Sequence, residues 1–255
     1  MTLKNFKITI EYDGSNFHGW QRQKHDRTIQ AEIEEALANI VGHRVAVIGS
    51  GRTDAGVHAL GQVANFRCDT RLNATVFQKA LNSLLPDAIV VKTCQQVQAA
   101  FHARYDAKSK TYRYRIYNHP VPVAVNRQYA WHIRRPLDLK SMRAAAEVLI
   151  GRHDFGAFEG AGSPRSHTIR HVFRAHLIEE NKTGYLAFEI EANGFLRFMV
   201  RNIVGTLVQV GCGKSSMKIF ANILHSKDRR QAGATAPPQG LFLVKVSYDE
   251  NACSS

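Results

Sequence analysis

The chain has 255 residues, and 34 Lys and Arg against 21 Asp and Glu give it a formal charge of +13. With 44% hydrophobic and 22% charged residues the composition excludes an intrinsically disordered chain and suits one large domain or two medium ones. No apolar run reaches the ~18–20 residues of a membrane span, and Met1-Thr2-Leu3-Lys4-Asn5-Phe6-Lys7 lacks a signal-peptide core, so a cytosolic protein is expected.

In chain order, residues 5–12 alternate Phe6, Ile8, Ile10 and Tyr12 against Lys7, Thr9 and Glu11, which predicts a half-buried strand ended by Asp13-Gly14-Ser15. Ile29, Ile33, Ala36, Leu37 and Ile40 have helical spacing behind Thr28 as N-cap. Arg44–Ile48 is read as a strand, 49–61 as a loop and Gln62–Cys68 as a third strand. A helix from Asn73 stops at Pro86, and Ala88–Val97 is a fourth strand. This β-α-β-β-α-β order predicts a ferredoxin-like half.

Beyond it, Lys110–Asn118 alternates as a strand, and Leu139–Ile150 is helical between Asp138 and Gly151. Strands are expected at Thr168–Glu179 and Tyr185–Ala192, with Lys182-Thr183-Gly184 turning between them. Helices are expected at Phe195–Val210 and from Ser216 through Leu224, then irregular chain over 226–239 and a last strand at Leu241–Tyr248. The fold class is therefore α/β (α+β), with two ferredoxin-like or RRM-like halves of antiparallel sheet flanked by helices. Residues 1–104 form the N-terminal domain, residues 105–255 the C-terminal one, and the ligand is expected in a cleft between them.

The positive charge predicts a polyanionic partner, because Lys and Arg set against phosphates release condensed counterions; a basic surface kept for solubility is the alternative. Cys68, Cys94, Cys212 and Cys253 form no CxxC pair, and the histidines show no metal-ligand spacing, so neither a disulfide framework nor a metal site is expected. Gly211-Cys212-Gly213-Lys214-Ser215 is not a phosphate loop, since Val208 stands where the pattern needs glycine. Asn73-Ala74-Thr75 and Asn181-Lys182-Thr183 fit the glycosylation pattern, which has no use in a protein that is not secreted.

The remaining signal is the loop from Gly49 to Gly61, with four glycines in the stretch GSGRTDAGVHALG. Such a density permits tight turns and close approach of a ligand. Arg52 and Asp54 stand two apart in it, and a carboxylate kept ionised by a guanidinium can serve as nucleophile or base. A turn cap or a structural ion pair is the alternative reading of the same two residues.

Arg52-Thr53-Asp54-Ala55-Gly56-Val57-His58 resembles the catalytic motif of the tRNA pseudouridine synthase A (TruA) family. Further matches run in the family's order: Glu11-Tyr12-Asp13-Gly14, Gly19-Trp20-Gln21-Arg22-Gln23, Gly61-Gln62-Val63 and Phe101-His102-Ala103-Arg104. Tyr112-Arg113-Tyr114, Met199 to Gly205 and Gly240-Leu241 complete them, so the resemblance spans nearly the whole chain. It implies isomerisation of uridine to pseudouridine at positions 38–40 of the tRNA anticodon stem-loop, without metal or other cofactor. It also implies action as a homodimer.

By that resemblance Asp54 is the nucleophile, attacking uracil C6 or ribose C1′, with Arg52 its ion-pair partner and a candidate phosphate ligand. Tyr112 would stack on the target base, although the face it shares with Tyr114 and Ile116 also suits a core aromatic. Arg201, on an otherwise apolar helix, needs a carboxylate partner, and Asp54 is the candidate. Val57 and Leu243 would wall the flipped base. Arg22 is the candidate substrate-binding cation, with Lys24, Arg27, Lys108, Lys110 and Arg113 as further phosphate contacts or else solvated surface charge. A non-catalytic tRNA-binding or chaperone protein of the same fold would explain the charge but not the Arg52–Asp54 loop.

Overall fold

The computed structural model describes residues 3–160, 162, 167–180 and 183–249; Lys182 of the expected turn and Cys253 lie outside them. In chain order the elements are β1 (Leu3–Tyr12), α1 (Ile29–Val41), β2 (Val47–Gly49), β3 (His58–Asp69), α2 (Ala74–Leu84) and β4 (Ile89–Val97). There follow β5 (Ser109–Asn118), β6 (Trp131–Ile133), α3 (Leu139–Glu147), β7 (Gly151–Asp154), β8 (Ile169–Glu179) and β9 (Tyr185–Ala192). α4 (Met199–Gly211), α5 (Met217–Ser226) and β10 (Leu241–Ser247) end the chain. They form two compact units: the chain through Ser109 together with the stretch from Phe242 onward, and Lys110–Leu241.

In the first unit β1 is central. It pairs antiparallel with β3 and β4, while β2 pairs antiparallel with β3 on its other side, giving the order β4-β1-β3-β2 of the split β-α-β-β-α-β pattern. β10 adds a short parallel contact to the start of β3, with Phe242 opposite His58 and Leu243 opposite Ala59. The sequence placed that last strand with the second half; here the stretch from Phe242 groups with the first unit, which it joins through this contact. Phe6, Ile8, Ile10 and Tyr12 are buried as their alternation predicts. Phe6, Phe66 and Phe77 pack with ring centroids 4.8–5.4 Å apart, which seats α2 on that face of β1 and β3. Thr28 caps α1 by accepting from Ala31 N, and Gly42 ends the helix at φ +79°.

In the second unit β5, β9, β8 and β7 form an antiparallel sheet in that order, and β6 adds parallel to the end of β5. Its β5-α3-β8-β9-α4 succession, with spatial order β5-β9-β8, repeats the first five elements of the split pattern. Tyr114 sits opposite Phe188 and Ile116 opposite Leu186, all four buried. α3 packs on β8 and on α4 and α5. The irregular chain after α5 is strapped to α4. Gly233 N donates to Thr206 Oγ1 (2.9 Å), and Asn202 Oδ1 accepts from Thr235 Oγ1 (2.6 Å).

The structure differs from the sequence reading in several details: β6 and β7 were not expected, and β2 is Val47–Gly49 where Arg44–Ile48 was expected. α3 ends at Glu147, and Gly151, with φ +108°, opens β7 instead of capping the helix. α4 begins at Met199, not Phe195, because Phe198 is left-handed (φ 60°). β3 reaches back to His58, so the expected loop loses its last four residues to the sheet.

Candidate active site

The segment from Gly49 to Val57 is gripped from below by the chain between β1 and α1. Tyr12 and Thr53 share a buried hydrogen bond of 2.8 Å between their hydroxyls. Burial pushes the Tyr12 hydroxyl well above its ordinary pKa, so it stays protonated and able to donate. Trp20 N donates to Thr53 O (3.1 Å), and Gly56 N donates to Phe17 O (3.2 Å). Gly19 has φ +87°, and a Cβ there would stand 2.5 Å from Thr53 O and 3.0 Å from Asp54 C. At Gly14 a Cβ would meet Val57 O at 2.0 Å. These glycines let one backbone lie directly on the other, and the peptide on each side of Asp54 is fixed as a result.

Both ends of the loop are tied as well. Ser50 Oγ donates to Gln62 Oε1 (2.6 Å), while Gln62 Nε2 donates to Gly51 O (3.0 Å). His58, buried and stacked on Phe242 at 4.7 Å, brings Nδ1 within 3.0 Å of Asp13 Oδ1 and 3.1 Å of Gly14 N. Protonated, that nitrogen donates to Asp13; deprotonated, it accepts from Gly14. Asp54 itself is half-buried.

Arg52 is exposed, and its Nε donates to Gln21 Oε1 at 3.0 Å, not to the Asp54 carboxylate that the spacing suggested. Gln21 Nε2 in turn donates to Gln30 Oε1 (2.7 Å), and Gln30 Nε2 to Glu34 Oε1 (3.0 Å), so α1 steers the guanidinium through two amides. Arg22, by contrast, is already paired with a carboxylate. Its Nε donates to Glu34 Oε2 at 2.7 Å, and Glu34 is only 5% exposed, so a phosphate would compete with a buried carboxylate. Val57 and Leu243, expected as walls for a base, are 1% and 0% exposed and present no surface to one here. Of the other candidate cations, Arg27 pairs with Glu32 (2.6 Å), Lys108 with Asp249 (2.8 Å) and Arg113 with Glu189 (2.6 Å).

In the second unit Tyr112 opens the inward face of β5, 7% exposed, edge-on to Phe195 at 4.9 Å. Burial pushes the hydroxyl of its neighbour Tyr114 upward; that hydroxyl donates to Pro237 O (2.8 Å). Arg201 lies over the Phe198 ring at 4.9 Å, and its Nε donates to Ala236 O (2.8 Å), so the strap behind α4 holds this arginine. Sequence reasoning missed Tyr12, Gly14, Gly19, Gln21 and Gln62 as supports. The motifs containing them were visible, but not the contacts, which span 11 to 43 positions.

Tyr12→Phe removes one buried hydrogen bond and leaves Thr53 Oγ1 to find another partner. A loss of about 1–2 kcal/mol in denaturant-unfolding stability is expected, with near-native spectra. A loss below a few tenths of a kcal/mol would show that the bond does not hold the loop.

A half-buried carboxylate on a braced loop of a small α/β scaffold is an arrangement that can support covalent or acid–base chemistry, and no cluster of His, Cys, Asp or Glu among the described residues could hold a metal. Residues 8–106 and 145–249 match the family model described as tRNA pseudouridine synthase, and the chain belongs to that family of isomerases. It is 50% identical over 246 residues to the tRNA pseudouridine synthase A of Thermoanaerobacter sp. (strain X514), covering 96% of this chain and 100% of that protein. The enzyme of the same name from Acetivibrio thermocellus is 48% identical over the same shares, and the tRNA pseudouridine synthase A 2 of Bacillus cereus (strain ATCC 14579) is 43% identical over 247 residues. No helix among the described residues is long and apolar enough to cross a membrane.

Proposed function

We propose that this protein converts uridine to pseudouridine at positions 38–40 of the tRNA anticodon stem-loop, with Asp54 as nucleophile. The observation that carries the reading is the double grip on the Asp54 peptide by Tyr12 and Trp20 through Thr53 and by the Gly19 backbone. A carboxylate so fixed is aimed before substrate arrives.

In the reaction the carboxylate bonds to uracil C6 or ribose C1′, the C1′–N1 bond breaks, and the base turns within the site. A C1′–C5 bond then forms, the C5 proton leaves, N1 takes up a proton and the Asp54 adduct is released. Nothing is oxidised or reduced, so an aspartate and a proton acceptor suffice. The covalent step divides one high barrier into lower ones. The target uridine must first leave the helical stack, at a cost of roughly a few kcal/mol. Tyr112 offers a ring for the flipped base and a hydroxyl near C5, and Arg201 a charge to orient the carboxylate. Arg52 serves the RNA phosphate: its terminal nitrogens have no hydrogen bond among the described residues. The active form is a homodimer.

Pseudouridine mapping by carbodiimide-dependent primer extension on tRNA treated with the protein tests the reading. New stops at positions 38–40 are expected; treated tRNA without new stops would overturn it in favour of a binding protein. For Tyr112, the Phe variant should bind tRNA almost normally and lose turnover, while the Ala variant should also lose stacking, worth ~1–3 kcal/mol per base. Full turnover in Tyr112→Phe would remove the hydroxyl from the chemistry.

A further inference from the structure

Between Asp106 and Asp138 the chain carries no acidic residue but seven cations: Lys108, Lys110, Arg113, Arg115, Arg127, Arg134 and Arg135. Lys108, Arg113 and Arg115 are neutralised by Asp249, Glu189 and Glu180. Arg127, Arg134 and Arg135 are exposed and make no side-chain hydrogen bond or ion pair among the described residues. This is a poor arrangement for a surface that only needs solubility, where the sheet of the same unit pairs Arg113, Arg115 and Arg174 with glutamates.

The three arginines flank β6, Arg127 in the short helical turn before it and Arg134-Arg135 directly after it. Their backbone is firmly placed. β6 pairs with Ile116–Asn118 of β5, Asn118 Nδ2 donates to Ile133 O (2.8 Å) and Arg135 O (2.6 Å), and a 2.8 Å bond joins His132 Nε2 to His119 O. Beside them the segment 119–128 is exposed except at half-buried Val123, with Val125 77% open to solvent. At ~3.3 Å per residue, the end of β5, beside which Arg134 and Arg135 follow β6, stands roughly 20 Å along the strand from Tyr112. Arg127, before β6, lies nearer, its turn packed on Pro238–Gly240. Charges spread along that edge reach more of the RNA than the one nucleotide that Tyr112 would take, and can hold its other phosphates.

We propose that Arg127, Arg134 and Arg135 form a docking surface for the tRNA sugar–phosphate backbone, holding phosphates other than that of the target uridine. The proposal rests on the tRNA reading above. It does not rest on the family match, which leaves residues 107–144 outside.

The test is the salt dependence of tRNA binding. Each phosphate contact contributes about −0.7 to −0.9 to the slope of log K against log salt, so the triple Gln variant should lose roughly 2–3 from the slope. Its affinity at physiological salt should fall tenfold or more. The triple Lys variant, which keeps the charges, should retain the wild-type slope. An unchanged slope in the Gln variant, or an equal loss in the Lys variant, would overturn the proposal. Pseudouridine mapping of wild-type product, run alongside, reports separately on the function: missing pseudouridine with a normal change in slope refutes the activity, not the surface.

Discussion

Gly14→Ala is expected to cost about a hundredfold in turnover while the fold survives. The added methyl would stand 2.0 Å from Val57 O, a carbonyl in the turn that begins at Asp54, since Val57 N donates to Asp54 O (3.1 Å). Backbone oxygen cannot swing aside as a flexible side chain does, so one strand of chain must shift by about an ångström. Overpacking of this kind costs about 1–3 kcal/mol, and a displacement of about 1 Å at a reacting group costs on the order of a hundredfold in rate. Gly42→Ala supplies the contrast. Its methyl meets nothing within 4 Å, but φ is +79°, so about 1 kcal/mol of stability should go with no change in turnover. Thermal melts and tritium release from tRNA labelled at uridine C5 measure both variants. If Gly14→Ala kept full turnover, the grip on the loop would have no bearing on the chemistry.

Much of the fold was legible because its signals are local. The alternation in β1, the caps at Thr28, Asn73, Asp138 and Ser216, and the order of the first six elements all follow from neighbouring residues. Elements that depend on distant partners were not. β6 and β7 have three and four residues, too few for a period to register, and exist through pairing with β5 and β8. Phe198 breaks the expected helix because its ring lies under Arg197 and Arg201 and against Gly160, where a Cβ would meet it at 2.4 Å.

The site divides in the same way. Asp54 stood out through its glycine-rich setting, but Arg52 next to it answers to Gln21, which belongs to another segment. Gly19-Trp20-Gln21-Arg22-Gln23 matched a family motif, but its members have no evident task until their contacts are seen. Gly19 admits the Asp54 backbone, Trp20 bonds Thr53 and lies under Gly49, Gln21 holds Arg52, and Arg22 is spent on Glu34. Its positive charge gave Arg22 to the substrate, because a sequence does not show which carboxylate has already claimed a guanidinium.

The central claim is that Asp54 is the nucleophile, and Asp54→Asn tests it most directly. The amide keeps the size of the carboxylate and much of its hydrogen bonding but is neutral and cannot form the adduct. Joining the base through C5 obliges the C5 hydrogen to leave, so tRNA labelled there with tritium must release one label per pseudouridine formed. The variant is expected to fold and to bind tRNA at near-normal affinity, helped slightly by the loss of one negative charge near phosphates. Its release of tritium should fall by roughly a thousandfold or more, to background. Release at an appreciable fraction of the wild-type rate, once mass spectrometry has excluded deamidation back to aspartate, would contradict the account and leave the braced loop a structural turn.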